Sequence, residues 1–182
     1  MPNIKLDSID VKILNELQAD GGLTNAELAD RVGLSPSPCL RRVNLLTDSG
    51  ILKQRVALVD ANAIDLNVSV FVHVTLDKQI EENLSDFEAA ISDRPEVVEC
   101  YLMTGESDYL LRVVAPDLAS YERFLKDHLT RAPGVSNIKS SFALNQIKYS
   151  TSLPTGHLSQ QDRNVRRKMV AGEGLEPPTR GL

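Results

Sequence analysis

Residues 24–46, Thr-Asn-Ala-Glu-Leu-Ala-Asp-Arg-Val-Gly-Leu-Ser-Pro-Ser-Pro-Cys-Leu-Arg-Arg-Val-Asn-Leu-Leu, read as two short helices joined by a glycine turn. Thr24 is placed to cap the first helix, Glu27 to complete a capping box, and Leu23 and Leu28 to form a hydrophobic staple. That helix buries Leu28, Ala29 and Val32 and stops at Gly33. The next begins at Ser35 with Pro36 in its first position. Pro38 also falls in the first turn, where a missing N–H has no intrahelical partner to lose. At roughly 100° per residue, Ser37, Arg41, Asn44 and Asp48 share one face, and Cys39, Leu40, Val43 and Leu46 are expected on the core side.

Such a helix is a probe for the major groove of double-stranded DNA. Arg41 matches the hydrogen-bonding edge of guanine and Asn44 that of adenine, each by a bidentate pair. Ser37, Pro38 and the free N–H groups of the first turn suit phosphate oxygens. Arg42 lies on the flank and is open to two roles, a phosphate contact or an internal pair with an acid such as Asp30.

Working outward, an earlier helix starts at Asp7, with Asp10 as its capping-box partner and Leu6 and Val11 as its staple. Ile13, Leu14 and Leu17 form its apolar stripe, and Gly21 offers a left-handed stop. After Gly50 the run Ile51–Val59 alternates like a short strand, with Lys53 and Arg55 on one face as a wing or a backbone clamp.

The whole chain has 182 residues, 42% hydrophobic and 25% charged, which fits a globular protein of one large or two small domains. Its net charge of −5 is unevenly spread: residues 1–60 carry seven basic and eight acidic side chains, and residues 61–150 carry eight and fourteen. The helical part is therefore near neutral. A single copy would hold DNA weakly, which favours oligomers that add contacts. Cys39 and Cys100 have no metal or redox spacing and are expected as two reduced, buried thiols of a cytoplasmic protein. No signal peptide or membrane-spanning run is expected.

Residues 68–148 alternate strand and helix signals. Val68–Leu76, Val97–Thr104, Tyr109–Ala115 and Val135–Ile147 read as strands, and Ile80–Asp93 and Leu118–Leu129 as helices. The resulting βαββαβ order is that of ferredoxin-like domains. The fold class expected is α+β, an N-terminal (winged) helix-turn-helix domain followed by a ferredoxin-like βαββαβ domain. The expected boundaries are 1–60, a linker at 61–67, the second domain at 68–153, and a disordered tail at 154–182. Within that tail Arg163–Lys168 is basic, either a solvated segment or an aid to nonspecific DNA affinity.

The stretches Leu6–Leu14 and Leu34–Val43 resemble the N-terminal domain of the Lrp/AsnC family of transcription regulators, and the similarity continues to about Leu153. The resemblance implies a ferredoxin-like sensing domain that assembles dimers through its sheets. It also implies an effector site between dimers at a Gly-Xaa-Xaa-Asp hairpin, matched here by Gly105-Glu-Ser-Asp108 and followed by Tyr109. A free amino acid presents an ammonium, for which Asp108 would be the acceptor, and a carboxylate, for which a glycine turn exposes N–H donors. Leu102, Thr104, Gly105, Asp108, Tyr109, Leu118, Ser141 and Phe142 are the ligand-site positions carried over by the resemblance. From spacing alone, Gly105 and Asp108 are equally good as ordinary hairpin residues.

His73, His128 and His157 have no second ligand at metal spacing, and no nucleophile elbow, phosphate loop or zinc signature occurs, so neither catalysis nor a metal or cofactor is expected. A ferredoxin-like enzyme, metabolite-binding subunit or RNA-binding sheet is the competing reading. The RNA version wants exposed central aromatics, and only 4% of the residues are aromatic.

Overall fold

The computed structural model describes residues 5–158, which fold into two compact units. One holds the chain up to Ala57 together with the segment from Tyr149 onward, and the other runs from Leu58 to Lys148. The tail from residue 159, with its basic stretch at 163–168, lies outside the described residues. The residues before it are tied to α1: the Leu153 peptide exchanges hydrogen bonds with the Gln18 side chain at 2.7 and 3.2 Å, and Thr155 donates to Asn15 at 2.7 Å.

Three helices make the first unit: α1 (Ser8–Ala19), α2 (Asn25–Val32) and α3 (Pro36–Asp48). Both expected capping boxes form. The Asp7 carboxylate accepts from the N–H groups of Ile9 and Asp10 while the Asp10 side chain accepts from the Asp7 N–H, and Thr24 and Glu27 repeat the pattern on α2. Gly33 stops α2 at φ 76°, in the left-handed region that glycine enters without strain. Gly21 does not stop α1, because Asp20 caps it in an extended conformation and accepts the Gly22 N–H. Ile13, Leu17, Leu28, Cys39, Val43 and Leu46 meet in one apolar cluster.

Leu40 is not part of that cluster and is 48% exposed. The reason is angular: Leu40 stands roughly 100° from Cys39 around α3, whereas Arg42 stands only about 60° away on the other side. Nor does a paired strand follow α3. Residues 53–60 carry no regular structure, and Arg55 donates instead to the Leu23 carbonyl at 3.3 Å.

The second unit is a four-stranded antiparallel sheet in the order β2-β3-β1-β4, built from β1 (Val68–Leu76), β2 (Val97–Leu102), β3 (Tyr109–Ala115) and β4 (Val135–Phe142). Helices α4 (Glu81–Ser92) and α5 (Leu118–Asp127) cross over between strands. Val70, Val72 and Val74 of β1 and Tyr109, Leu111 and Val113 of β3 point to the helices, with Phe87 and Phe124 among the residues that close this core. The alternate residues Phe71, His73, Leu110 and Arg112 line the other face, where Phe71 and Tyr101 stay exposed. Strand β4 ends at Phe142 rather than Ile147: Phe142 pairs with Val70 and the Ala143 N–H with Ser69 O, and β1 begins at Val68, which leaves nothing to pair with Ile147. Strand β2 likewise ends at Leu102, two residues before Thr104. Cys39 is buried as expected, but Cys100 is exposed on the edge strand β2.

Candidate functional site

On α3 the chain places two neighbouring arginines in opposite situations. Arg42 turns inward, and its guanidinium reaches Asp7 at 2.8 Å and Asp10 at 2.6 Å. It therefore takes the internal alternative, with the capping acids of α1 rather than with Asp30. Asp10 is 6% exposed, so a charge there requires a partner. The pair also raises the Arg42 pKa, through the hydrogen bond to Asp10 first and that to Asp7 second. Partial burial works against the Asp7 charge, but the Asp10 N–H and Arg42 outweigh it and hold that carboxyl below its ordinary range. The same two acids that start α1 thus tie α3 to it.

With Arg42 committed, the outer face of α3 belongs to Ser37, Arg41 and Asn44, all exposed, and to Pro38, partly exposed. Among the described residues the side chains of Arg41 and Asn44 make no hydrogen bond or ion pair. The entry of α3 is held from α2, where Asn25 donates to the Pro36 carbonyl at 2.8 Å. Ser35 occupies the cap position without a side-chain hydrogen bond, and with Pro36 and Pro38 lacking an N–H, Ser37 supplies the one uncapped donor of the first turn.

In the sheet unit, Gly105 turns the β2–β3 hairpin at φ 128°. The hairpin is tied down at its Asp108 end: the Asp108 N–H donates to Val74 O at 2.9 Å, and its carboxylate accepts from the Leu76 N–H at 2.7 Å and from the Gln79 amide. The group expected to meet a ligand's ammonium is thus 3% exposed and engaged within the chain. Ser107 is tied to β1 as well, 3.2 Å from His73 Nδ1. Tyr109 belongs to the core of the sheet unit. It is 1% exposed, stacks near Phe87, and donates its hydroxyl to Glu88 at 2.7 Å. Burial and then that carboxylate push its pKa well up.

The eight candidate ligand residues do not converge in one chain. Leu102, Thr104, Gly105, Asp108 and Tyr109 cluster at the hairpin, where Tyr109 pairs with Val74. Phe142 pairs with Val70, Ser141 with Phe71, and Leu118 opens α5 just after Ala115, which pairs with Val68. Four residues of strand, roughly 13 Å, separate the Val74 and Val70 levels. Phe142 also packs edge-on against Tyr121, whereas Ser141 lies on the opposite face of the sheet. The residues missed from sequence are Gln79 and His73; a loop Gln and a lone strand His gave no signal. Among the described residues no group of three or more His, Cys, Asp or Glu is placed to hold a metal, and no helix is long and apolar enough to cross a membrane.

A three-helix unit presenting an unencumbered Arg and Asn on its last helix, followed by a ferredoxin-like unit, defines a DNA-binding regulator with a sensing domain. Residues 6–53 match the family profile described as winged helix-turn-helix DNA-binding, and residues 69–153 that described as Lrp/AsnC ligand binding domain. The chain belongs to the Lrp/AsnC family of transcriptional regulators, and it is a regulator rather than an enzyme. It is 45% identical to the Bkd operon transcriptional regulator of Pseudomonas aeruginosa, over 82% of this chain and 98% of that one. It is 40% identical to the leucine-responsive regulatory protein of Salmonella typhimurium, over 84% and 93%. Among solved structures, a transcriptional regulator from Neisseria meningitidis in complex with L-Met superposes with a TM-score of 0.80 at 44% identity, covering 84% of this chain and 99% of that one.

Proposed function

We propose that this regulator reads double-stranded DNA with Ser37, Pro38, Arg41 and Asn44, and that a free amino acid bound between copies at the Gly105 hairpin changes how tightly it does so. Arg42 holds α3 in place and does not touch base edges. The observation that carries this reading is the divergence of Arg41 and Arg42, one left without a partner and the other neutralised by two acids.

The effector half of the reading needs more than one copy. Gly105 and Thr104 offer backbone groups at one end of the sheet, while Leu118, Ser141 and Phe142 are levels away, so a second chain brings the two sets together. Asp108 and Gln79 shape the hairpin that receives the ligand's carboxylate on its N–H groups. The uncovered sheet face, with Phe71 and Tyr101 exposed, is the surface through which copies pair. Ligand binding then favours one assembly, and each assembly aligns its α3 helices with a different set of half-sites. The Neisseria meningitidis relative was solved with L-Met, which makes L-methionine the first probe.

The test is a titration of DNA selected from random duplexes, with and without each free L-amino acid. A coupling of about 1–3 kcal/mol, roughly a 5- to 150-fold change in DNA affinity, is expected for at least one of them. Identical curves with every amino acid contradict the effector half.

A further inference from the structure

We infer, on the reading of base edges by Arg41 and Asn44, that Leu45 is a further specificity-determining residue of α3, whose side chain meets the C5-methyl group of a thymine in the major groove.

The ground for this is where Leu45 stands. At roughly 100° per residue, Asn44, Ser37, Arg41 and Pro38 span an arc of about 120° around α3, and Leu45 falls inside that arc, about 40° from Arg41. Its side chain is 47% exposed, while Cys39, Val43 and Leu46 are buried on the other side of the helix. Its carbonyl is already engaged, accepting the Ser49 N–H at 3.0 Å, so the isobutyl group is what Leu45 offers outward. One exposed leucine is ordinary on a protein surface. This one is set among the side chains that face base edges. Leu40, exposed to the same degree at 48%, lies about 100° from Arg41 in the other direction and outside the arc.

The chemistry of the groove then selects the partner. Leucine has no side-chain donor or acceptor, and the apolar feature that a base pair presents in the major groove is the thymine methyl. Bringing the two together removes both from water, which is worth about fourfold in affinity for one methyl group. An amino group or carbonyl oxygen in the same place would lose its water to a group that cannot replace it, so the contact also penalises the other bases.

Arg41 and Leu45 are one turn apart, about 6 Å along the helix axis, close to two base-pair steps of roughly 3.4 Å each. The thymine is therefore expected within about two base pairs of the guanine that Arg41 reads.

The experiment is a competition titration of the full chain with a duplex selected from random sequence, each thymine being replaced in turn by deoxyuridine. That change removes the methyl group and keeps the base pairing. The Arg41 guanine is the one whose replacement weakens the parent chain but not Arg41→Ala. Near it, one deoxyuridine should weaken the parent about fourfold, Leu45→Ala should bind both forms alike, and Leu40→Ala should keep the parent's difference. A scan with no such thymine overturns the assignment of Leu45. So does a difference that survives in Leu45→Ala or disappears equally in Leu40→Ala. The scan of the parent needs no variant, so it decides even should Leu45→Ala fail to fold. Arg41→Ala/Asn44→Ala separates the two levels: loss of selectivity there, with a flat thymine scan of the parent, removes Leu45 and leaves the reading by Arg41 and Asn44 in place.

Discussion

The recognition helix and the sensor hairpin solve opposite problems. On α3 the functional groups stand together on one face of one element, and the structure's task is to keep that face empty. At the hairpin the functional groups are spread over strands and helix ends, and the task is to hold a loop still until other residues arrive. Arg42 serves the first task by turning inward onto Asp7 and Asp10, and Asp108 serves the second by pinning the turn to Leu76 and Gln79. A site on one helix is complete in one chain; a site on a hairpin end is half of something.

The largest effect is expected at α3. Replacing Arg41 and Asn44 together with Ala would remove the two proposed base contacts, about 1–3 kcal/mol each, so selected duplexes should lose their advantage over random ones in a competition assay. The oligomer seen by light scattering should not change, because neither side chain has a partner inside the unit.

Next comes Arg42→Ala, which strands the buried Asp10 carboxylate. Loss of a partner to a fully buried charge costs about 3–5 kcal/mol, and because Arg42 is a quarter exposed the expected loss is nearer 2 kcal/mol. Chemical denaturation followed by circular dichroism reads it. A change within error would mean that the pair does not fix α3.

Asp108→Ala should cost roughly 1–3 kcal/mol through the unpaired Leu76 N–H and, in a DNA titration, erase the amino acid response while basal DNA affinity stays. Retention of the response would show that the pinned turn is dispensable. Gln79→Ala should do the same more weakly, since it removes one of the carboxylate's partners and spares the backbone.

The smallest effect is a pH dependence. The folded-state pKa of Asp7 is depressed, so its contribution is fully present above the unfolded value of about 3.9 and is lost as pH falls through the lower folded value. Thermal melts of the parent and Asp7→Asn should differ at neutral pH, begin to converge below about pH 4, and meet once the pH is under the depressed folded-state value. A gap that persists in acid would assign the effect to packing.

Much of this was legible before folding because its causes are local. The capping residues Asp7, Asp10, Thr24 and Glu27 announce helix starts within three positions of themselves, and β1 and β3 show the period of two that their buried valines require. What escaped depends on distant partners. Asp30 is near Arg42 in sequence, but the acids that meet it are 32 and 35 residues away. Asp108 looked like a ligand group because nothing in the sequence says that the Leu76 N–H lacks a strand partner of its own. The alternation after Gly50 suggested a strand, yet a strand exists only where another strand accepts it. The glycine and aspartate of the hairpin were readable, and the resemblance placed an effector site there between dimers; the engagement of the Asp108 carboxylate by Leu76 and Gln79 was not.

The most direct measurement is the ratio of affinities for selected and random duplex DNA, determined at a fixed salt concentration for the parent chain and for Arg41→Ala/Asn44→Ala. The account predicts a high ratio for the parent and one approaching unity for the double variant, with its affinity for random DNA largely kept. An unaltered ratio would contradict it and move base reading to another part of the molecule.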